Sequence, residues 1–201
     1  MDATFRLDGF RLLAAIRSKG EKNQSFKAGR VSSVFSSRAD TNPFLIKRSD
    51  EIRISKDGKN FTVGWSGKTF VPLGFNYDRD YKMRLLEDYW VAEWETVVAE
   101  FREMKMLGAN VVRIHLQFAK FMETAERPNK EAVAQLKRLV RLAEETGLYL
   151  DVTRLACYRK SDVPAWFNLL PEKERWAAQA NFWEVIAKTC AKSPAIFFVT
   201  T

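Results

Sequence analysis

The chain has 201 residues, 46% of them hydrophobic, and a formal charge of +8; that composition supports one domain with a real core and excludes a chain disordered throughout. The charge is uneven, since residues 1–50 hold ten Lys and Arg against five Asp and Glu and leave +3 for everything that follows. The basic segment carries neither aromatic interleaving nor the Cys and His spacing of a zinc finger, so nucleic acid is not an expected partner.

Residues 1–50, rich in Ser, Lys and Arg, read as a basic, disordered leader. The apolar run at 12–16 is flanked by Arg on both sides and is shorter than the roughly 7–15 residues of a signal-peptide core. No window approaches the about 18 apolar residues of a membrane-spanning helix, so a soluble chain without a membrane partner is expected and no compartment is indicated. Cys157 and Cys190 lack a metal-ligand spacing and His115 is the only histidine, so neither a metal nor another cofactor is expected.

From residue 51 the pattern becomes regular. Residues 52–55 and 60–63 alternate around Asp57-Gly58, as a β-hairpin does when a turn needs positive φ. A second turn at 65–68 leads into the apolar run 69–75, expected as the first strand of a parallel sheet. Trp94, Val97, Val98, Phe101, Met104 and Leu107 then recur at helical spacing and stop at Gly108; Trp94 and Phe101 are expected in the core. Residues 110–116 supply a β-branched second strand, and 130–146 a second helix closed by Gly147. Residues 148–153 form the third strand. An aromatic-bearing loop with a short helix follows, then a third long helix from about Pro171, a residue tolerated where no amide donor is needed, to Cys190. Ser193-Pro194 precedes the fourth strand, 195–199.

Strands alternating with helices at about 40-residue intervals require parallel crossovers. The missing G-x-G-x-x-G after the first strand disfavours a dinucleotide fold, so the expected class is α/β: a partial (β/α)8 barrel of four βα units over residues 51–201, preceded by a β-hairpin and the leader. Chemistry in such barrels gathers at the C-terminal strand ends. There the sequence places Asn76 and Tyr77 after the first strand, Arg113 and His115 on the second, Arg154, Tyr158 and Arg159 after the third, and Trp166 beyond. Aromatics that stack on sugar C–H faces, beside planar hydrogen-bonding groups for hydroxyls, suit a carbohydrate partner. Each also has a plainer reading. Arg113 faces inward and needs a carboxylate partner, so it reads either as a structural ion pair or as a site residue. His115 reads equally as a satisfied core histidine, and Tyr77, Tyr158 and Trp166 as loop packing.

Phe70-Val71-Pro72-Leu73-Gly74-Phe75-Asn76, followed by Met104-Lys105-Met106-Leu107-Gly108-Ala109-Asn110-Val111-Val112-Arg113-Ile114-His115, resembles the opening of a cellulase-like or mannanase-like glycoside hydrolase of family 5 type. The resemblance covers residues 51–198. It implies a retaining hydrolase of β-linked polysaccharide or oligosaccharide, with two glutamates about 5–5.5 Å apart and no cofactor. It further implies that Arg113 orients the nucleophilic glutamate, while the strand-end positions make Asn76, Tyr77, His115, Tyr158 and Trp166 the candidate substrate-binding residues. The family ends its fourth strand in Asn-Glu, where this chain runs Val199-Thr200-Thr201, and it places a histidine near the end of the third strand that is absent here. Both catalytic glutamates are therefore missing, and little hydrolysis is expected of this chain alone. The alternative is a non-catalytic carbohydrate-binding or scaffold protein on a half barrel. Open edges at the first and fourth strands would invite self-association.

Overall fold

The computed structural model describes residues 6–7, 10–12, 42–153 and 162–199, with side chains over 42–153 and 162–197. Two short strands, β1 (Arg6–Leu7) and β2 (Phe10–Leu12), lie within the segment read as a leader. Residues 42–50 are mostly exposed but anchored to the domain: Ile46 is buried, its amide donates to the Glu144 carbonyl, and a 3-10 turn spans Arg48–Asp50. The expected boundary at residue 50 thus falls inside a segment already seated on the domain.

The expected hairpin forms as β3 (Ile52–Ile54) and β4 (Phe61–Val63), antiparallel and in register Ile52 to Val63. The run 69–75 is not one strand. Its beginning, β5 (Thr69–Phe70), adds to β4, and its end opens β6 (Gly74–Tyr77), the first parallel strand. Pro72 lies between them, without an amide for either ladder, so the chain leaves one sheet there and enters the other.

The remaining elements follow the sequence pattern closely. The short α1 (Leu86–Tyr89) precedes α2 (Trp94–Met106), β7 (Val111–His115), the short α3 (Phe118–Phe121), α4 (Lys130–Thr146) and β8 (Tyr149–Thr153). After them come α5 (Ala165–Leu169), α6 (Glu172–Cys190) and β9 (Ile196–Val199). The α4 helix starts where the Asn129 side chain accepts from the amides of Glu131 and Ala132, and it ends at Gly147 with φ of 70°. That left-handed turn requires glycine on two counts, because a Cβ there would also stand 2.6 Å from the Phe44 carbonyl oxygen.

The main sheet runs β1-β2-β6-β7-β8-β9, with β6 to β9 parallel. It is the α/β partial barrel expected, with four parallel strands. The β2 strand pairs antiparallel with β6, so the edge of the first parallel strand, expected to be open, is covered.

Two faces of this sheet differ. Phe75, Tyr77, Val112, Ile114, Leu150 and Val152 are buried against the helical layer, where Phe101 and Tyr77 meet edge to face at 5.6 Å. Phe101, Leu136, Phe182 and Ile186 are fully buried, and each such side chain contributes on the order of 1.5–3 kcal/mol. Trp90 joins this core, 6.1 Å from Phe121. Trp94, expected wholly in the core, is half-buried, with the Arg138 guanidinium 4.0 Å above its ring. The alternate residues of β6 to β8 face away from the helices, into the concave side. At its N-terminal end that side is plugged by the antiparallel sheet: Phe70 packs on Tyr149 at 5.2 Å and on Phe197 at 5.6 Å, and Phe61 on Phe197 at 5.0 Å.

Candidate carbohydrate site

Strand register sets the site. Asn76 of β6 stands opposite Arg113 of β7, and Arg113 opposite Asp151 of β8, in a row across the concave face. One step toward the C-terminal ends, His115 stands opposite Thr153. Below the row, Val111 and Tyr149 are buried beneath the plug, and the Tyr149 hydroxyl donates to the Asp50 carbonyl at 2.6 Å. The polar row is therefore a second layer above an apolar floor, at the end of the strands where a barrel opens.

Arg113 has the carboxylate partner its inward position demanded. Its Nε lies 3.6 Å from Asp151 Oδ2, an ion pair without a close hydrogen bond, and the two side chains retain 47% and 24% exposure. The concave side is open at this depth, which leaves the remaining guanidinium donors accessible. Burial raises the Asp151 pKa above its ordinary value, and the positive charges of Arg113 and His115 only partly counter it. Asp151 was not singled out in the sequence, although it is the one charged residue in the run 148–152 and shares strand parity with the mouth-side positions.

His115 is half-buried, with Nδ1 2.9 Å from Thr153 Oγ1. Thr153 is itself buried and its hydroxyl also lies 3.1 Å from the Ile114 carbonyl oxygen.

Tyr77 does not join this group. It alternates with Asn76, so its ring enters the helical layer, where its hydroxyl donates to the Glu100 carboxylate and accepts from Tyr89 at 3.0 Å. Burial beside that carboxylate drives its phenol pKa far upward. Its expected place in the cleft is corrected to a core position. Trp166, on α5, is half-buried and tilts against Phe118 at 5.7 Å within an aromatic cluster that includes Phe167 and Phe182, so the packing reading fits its ring. Tyr158, with Arg154 and Arg159, lies outside the described residues.

Two mouth-side features add to the sequence reading. After β6 a small hairpin, bridged between Arg79 and Leu85, lifts Tyr81 and Met83 into solvent. Asp80 holds it, accepting from the Lys82 and Arg84 amides and from Arg84 Nε, while Arg84 forks onto Glu93. This bracing keeps Met83 at φ of 63°, a costly value for a side chain with a Cβ. Beside it, Glu87 Oε1 accepts from the Gln117 amide at 2.7 Å and so ties the loop after β6 to the loop after β7. Glu87 Oε2 and both amide atoms of the Gln117 side chain are buried without a partner. Burial raises the Glu87 pKa to about 7.

Among the described residues no cluster of three His, Cys, Asp or Glu is placed to hold a metal ion, and no helix is long and apolar enough to cross a membrane.

No protein-family model matches the chain, and no curated protein matches it in sequence. Solved structures do match in fold. The exo-beta-1,4-mannosidase Op5Man5 from Opitutaceae bacterium strain TAV5 is 17% identical with a TM-score of 0.57, over 73% of this chain and 27% of its own. A GH5_18 structure from Streptomyces cattleya, in complex with GlcNAc, is 25% identical with a TM-score of 0.52, over 57% and 30% of the two chains. A GH5_18 variant from Bifidobacterium longum subsp. longum, in complex with Manb1-4GlcNAc, is 23% identical with a TM-score of 0.51, over 57% and 29%. In fold this chain is thus similar to part of a GH5-type glycoside hydrolase barrel, and it spans under a third of the length of those chains.

Proposed function

We propose that this chain builds one wall of a carbohydrate-processing barrel, in which the concave row Asn76, Arg113 and Asp151, with His115 above it, engages a β-linked, mannose-containing saccharide. The observation that supports this reading is the register itself, which sets an amide, a guanidinium, a carboxylate and an imidazole on neighbouring parallel strands, open to solvent at the mouth side. Those groups can accept from and donate to sugar hydroxyls, and guanidinium donors in particular form charge-assisted bonds to oxygen. The saccharides bound by the matched GH5_18 structures are the reason for naming a mannose-containing ligand.

Hydrolysis with retention needs an acid and a nucleophile about 5–5.5 Å apart. The described strands put one carboxylate, Asp151, beside Arg113, and the fourth parallel strand carries no glutamate, so the pair of carboxyls is not assembled here. In this proposal Arg113 is a positioning residue: its free guanidinium donors would hold a nucleophilic carboxylate ionised when further strands of a barrel supply one. The chain by itself binds sugar and does not turn it over.

Calorimetric titration with β-1,4-mannobiose, paired with a reducing-sugar assay on the same sample, tests this. Binding that weakens at least tenfold in Arg113→Met, with no turnover, is expected. Absence of binding removes the carbohydrate reading, and turnover by the chain alone removes the assignment of Arg113 as a positioning residue only.

A further inference from the structure

We propose that the Glu87 carboxyl is a pH-sensitive side-chain switch at the mouth: neutral, it lies inward and caps the Gln117 amide, and ionised, it swings to solvent and frees the polar groups of Gln117. As a regulation of the carbohydrate site it rests on the reading above, whereas the switch itself does not depend on what that site binds.

Glu87 sits on the short α1, in the connection after β6, and Gln117 stands between β7 and α3. The bond from the Gln117 amide to Glu87 Oε1, 2.7 Å long, joins the two connections at the C-terminal end of the sheet. Three further polar atoms lie there sealed and without a partner: Glu87 Oε2 and both ends of the side-chain amide of Gln117, a residue 2% exposed. An ionised carboxyl held inward keeps a charge beside an oxygen that nothing bonds, and that desolvation is not compensated. The neutral acid avoids the cost.

Burial is the leading cause that raises the Glu87 pKa to about 7, and the Gln117 amide works against it. Two charges act on the group in opposite directions, Asp88 of the same helix upward and Lys120 of α3 downward. These two are paired with each other at 2.7 Å, so their effects offset and burial decides.

Glu87 also has a way out, since the residue is partly exposed although Oε2 is covered. The helices on either side stay in place, because Leu86 and Tyr89 of α1 and Phe118 and Phe121 of α3 are buried. Only the side chain turns. A carboxyl that ionises at 4.5 in solvent and at about 7 when inward favours the inward form at acid pH. The outward-to-inward ratio then grows tenfold for each pH unit across that range, about 300-fold in all. Gln117 is two residues beyond His115, so the outward state adds amide groups beside the mouth-side end of β7, through the space the carboxyl leaves.

Three-bond couplings along the Glu87 side chain of the full chain, recorded without sugar, read the switch in the folded state. One χ1 rotamer is expected at about pH 5 and another at about pH 8.5, with the Gln117 amide proton shifting at the same midpoint and the Leu150 amide of the sheet unmoved. Imidazoles titrate over this range too, and Glu87→Gln separates their effect from that of the carboxyl: its Gln117 amide is expected to hold one shift throughout. A single Glu87 rotamer across the range overturns the proposal, as does a Gln117 amide that still titrates in Glu87→Gln. Should the variant fail to fold, the wild-type couplings decide alone. Mannobiose titrations at the two pH values read the regulation, with binding expected at least about threefold tighter at the alkaline value in the wild type and a smaller ratio in Glu87→Gln. Equal ratios in the two chains overturn the link to the site, and absence of binding at both values removes the carbohydrate reading while leaving the switch to the couplings.

Discussion

Arg113 and Asp151 face each other across adjacent parallel strands, Nε to Oδ2 at 3.6 Å, with neither side chain sealed from solvent. A pair so exposed contributes little to stability, typically under about 1 kcal/mol. Arg113→Met is accordingly expected to leave the urea midpoint almost unchanged while weakening sugar binding at least tenfold. The Asp151 pKa stands above its ordinary 3.8, so its ionisation is easier in the unfolded chain. Stability linked to Asp151 is present below pH 3.8 and is partly lost as pH rises through the folded value. Asp151→Asn is expected to flatten that part of the stability-against-pH curve, measured by urea titration across acid pH.

Gly74 marks the start of the first parallel strand for a steric reason. A Cβ at that position would lie 1.9 Å from the Val111 carbonyl oxygen, so the two strands could not pair at their observed spacing. Backbone cannot yield as a side-chain tip can. Gly74→Ala is expected to cost about 2 kcal/mol or more, read as a lowered thermal midpoint in the calorimeter.

Asn110 joins the two ends of the same junction: its Oδ1 accepts from the Leu73 amide at 2.8 Å and its Nδ2 donates to the Val71 carbonyl at 2.8 Å. These bonds fix the turn by which the chain passes from the plug into the parallel sheet. Asn110→Ala removes both and is expected to destabilise by about 1–3 kcal/mol in chemical denaturation, whereas Asn110→Asp keeps the acceptor and loses only the donor.

Glu87 is expected to make the chain less stable at neutral than at acid pH. Its pKa rises from 4.5 to about 7 through burial, so stability linked to it is complete below 4.5 and declines as pH climbs to about 7. At 1.36 kcal/mol per pH unit the full effect is about 3 kcal/mol. Glu87→Gln retains an oxygen for the Gln117 amide and carries no charge, so it is expected to stabilise the chain above pH 7 and to change little at pH 4.5. Parallel urea titrations at the two pH values measure the difference.

Most of the fold was legible because the pattern and the punctuation agreed. The 3.6-residue spacing of Leu136, Val140 and Ala143 and the glycine at 147 gave α4 to the residue. The run 69–75 misled because apolar continuity suits either sheet, and only Pro72 hinted at the break between β5 and β6. At the site, strand parity placed Asn76, Arg113 and His115 on one face, and the same parity, applied strictly, sends Tyr77 to the other. Asp151 and Thr153 went unnoticed since their importance lies in cross-strand register, which no single segment encodes. The motif around 104–113 is largely structural in origin: Lys105 Nζ donates to the Gly147 carbonyl at 2.6 Å, Asn110 braces the junction, and Arg113 alone reaches the open face.

The most direct test of the concave face as a sugar site is a two-dimensional amide spectrum of the labelled chain titrated with β-1,4-mannobiose. Shifts confined to the mouth-side residues, with Asn76, Arg113 and His115 among the largest and the plug residues Phe61 and Phe70 unmoved, are the expected result. Shifts centred on the plug, or none at saturating sugar, would contradict it.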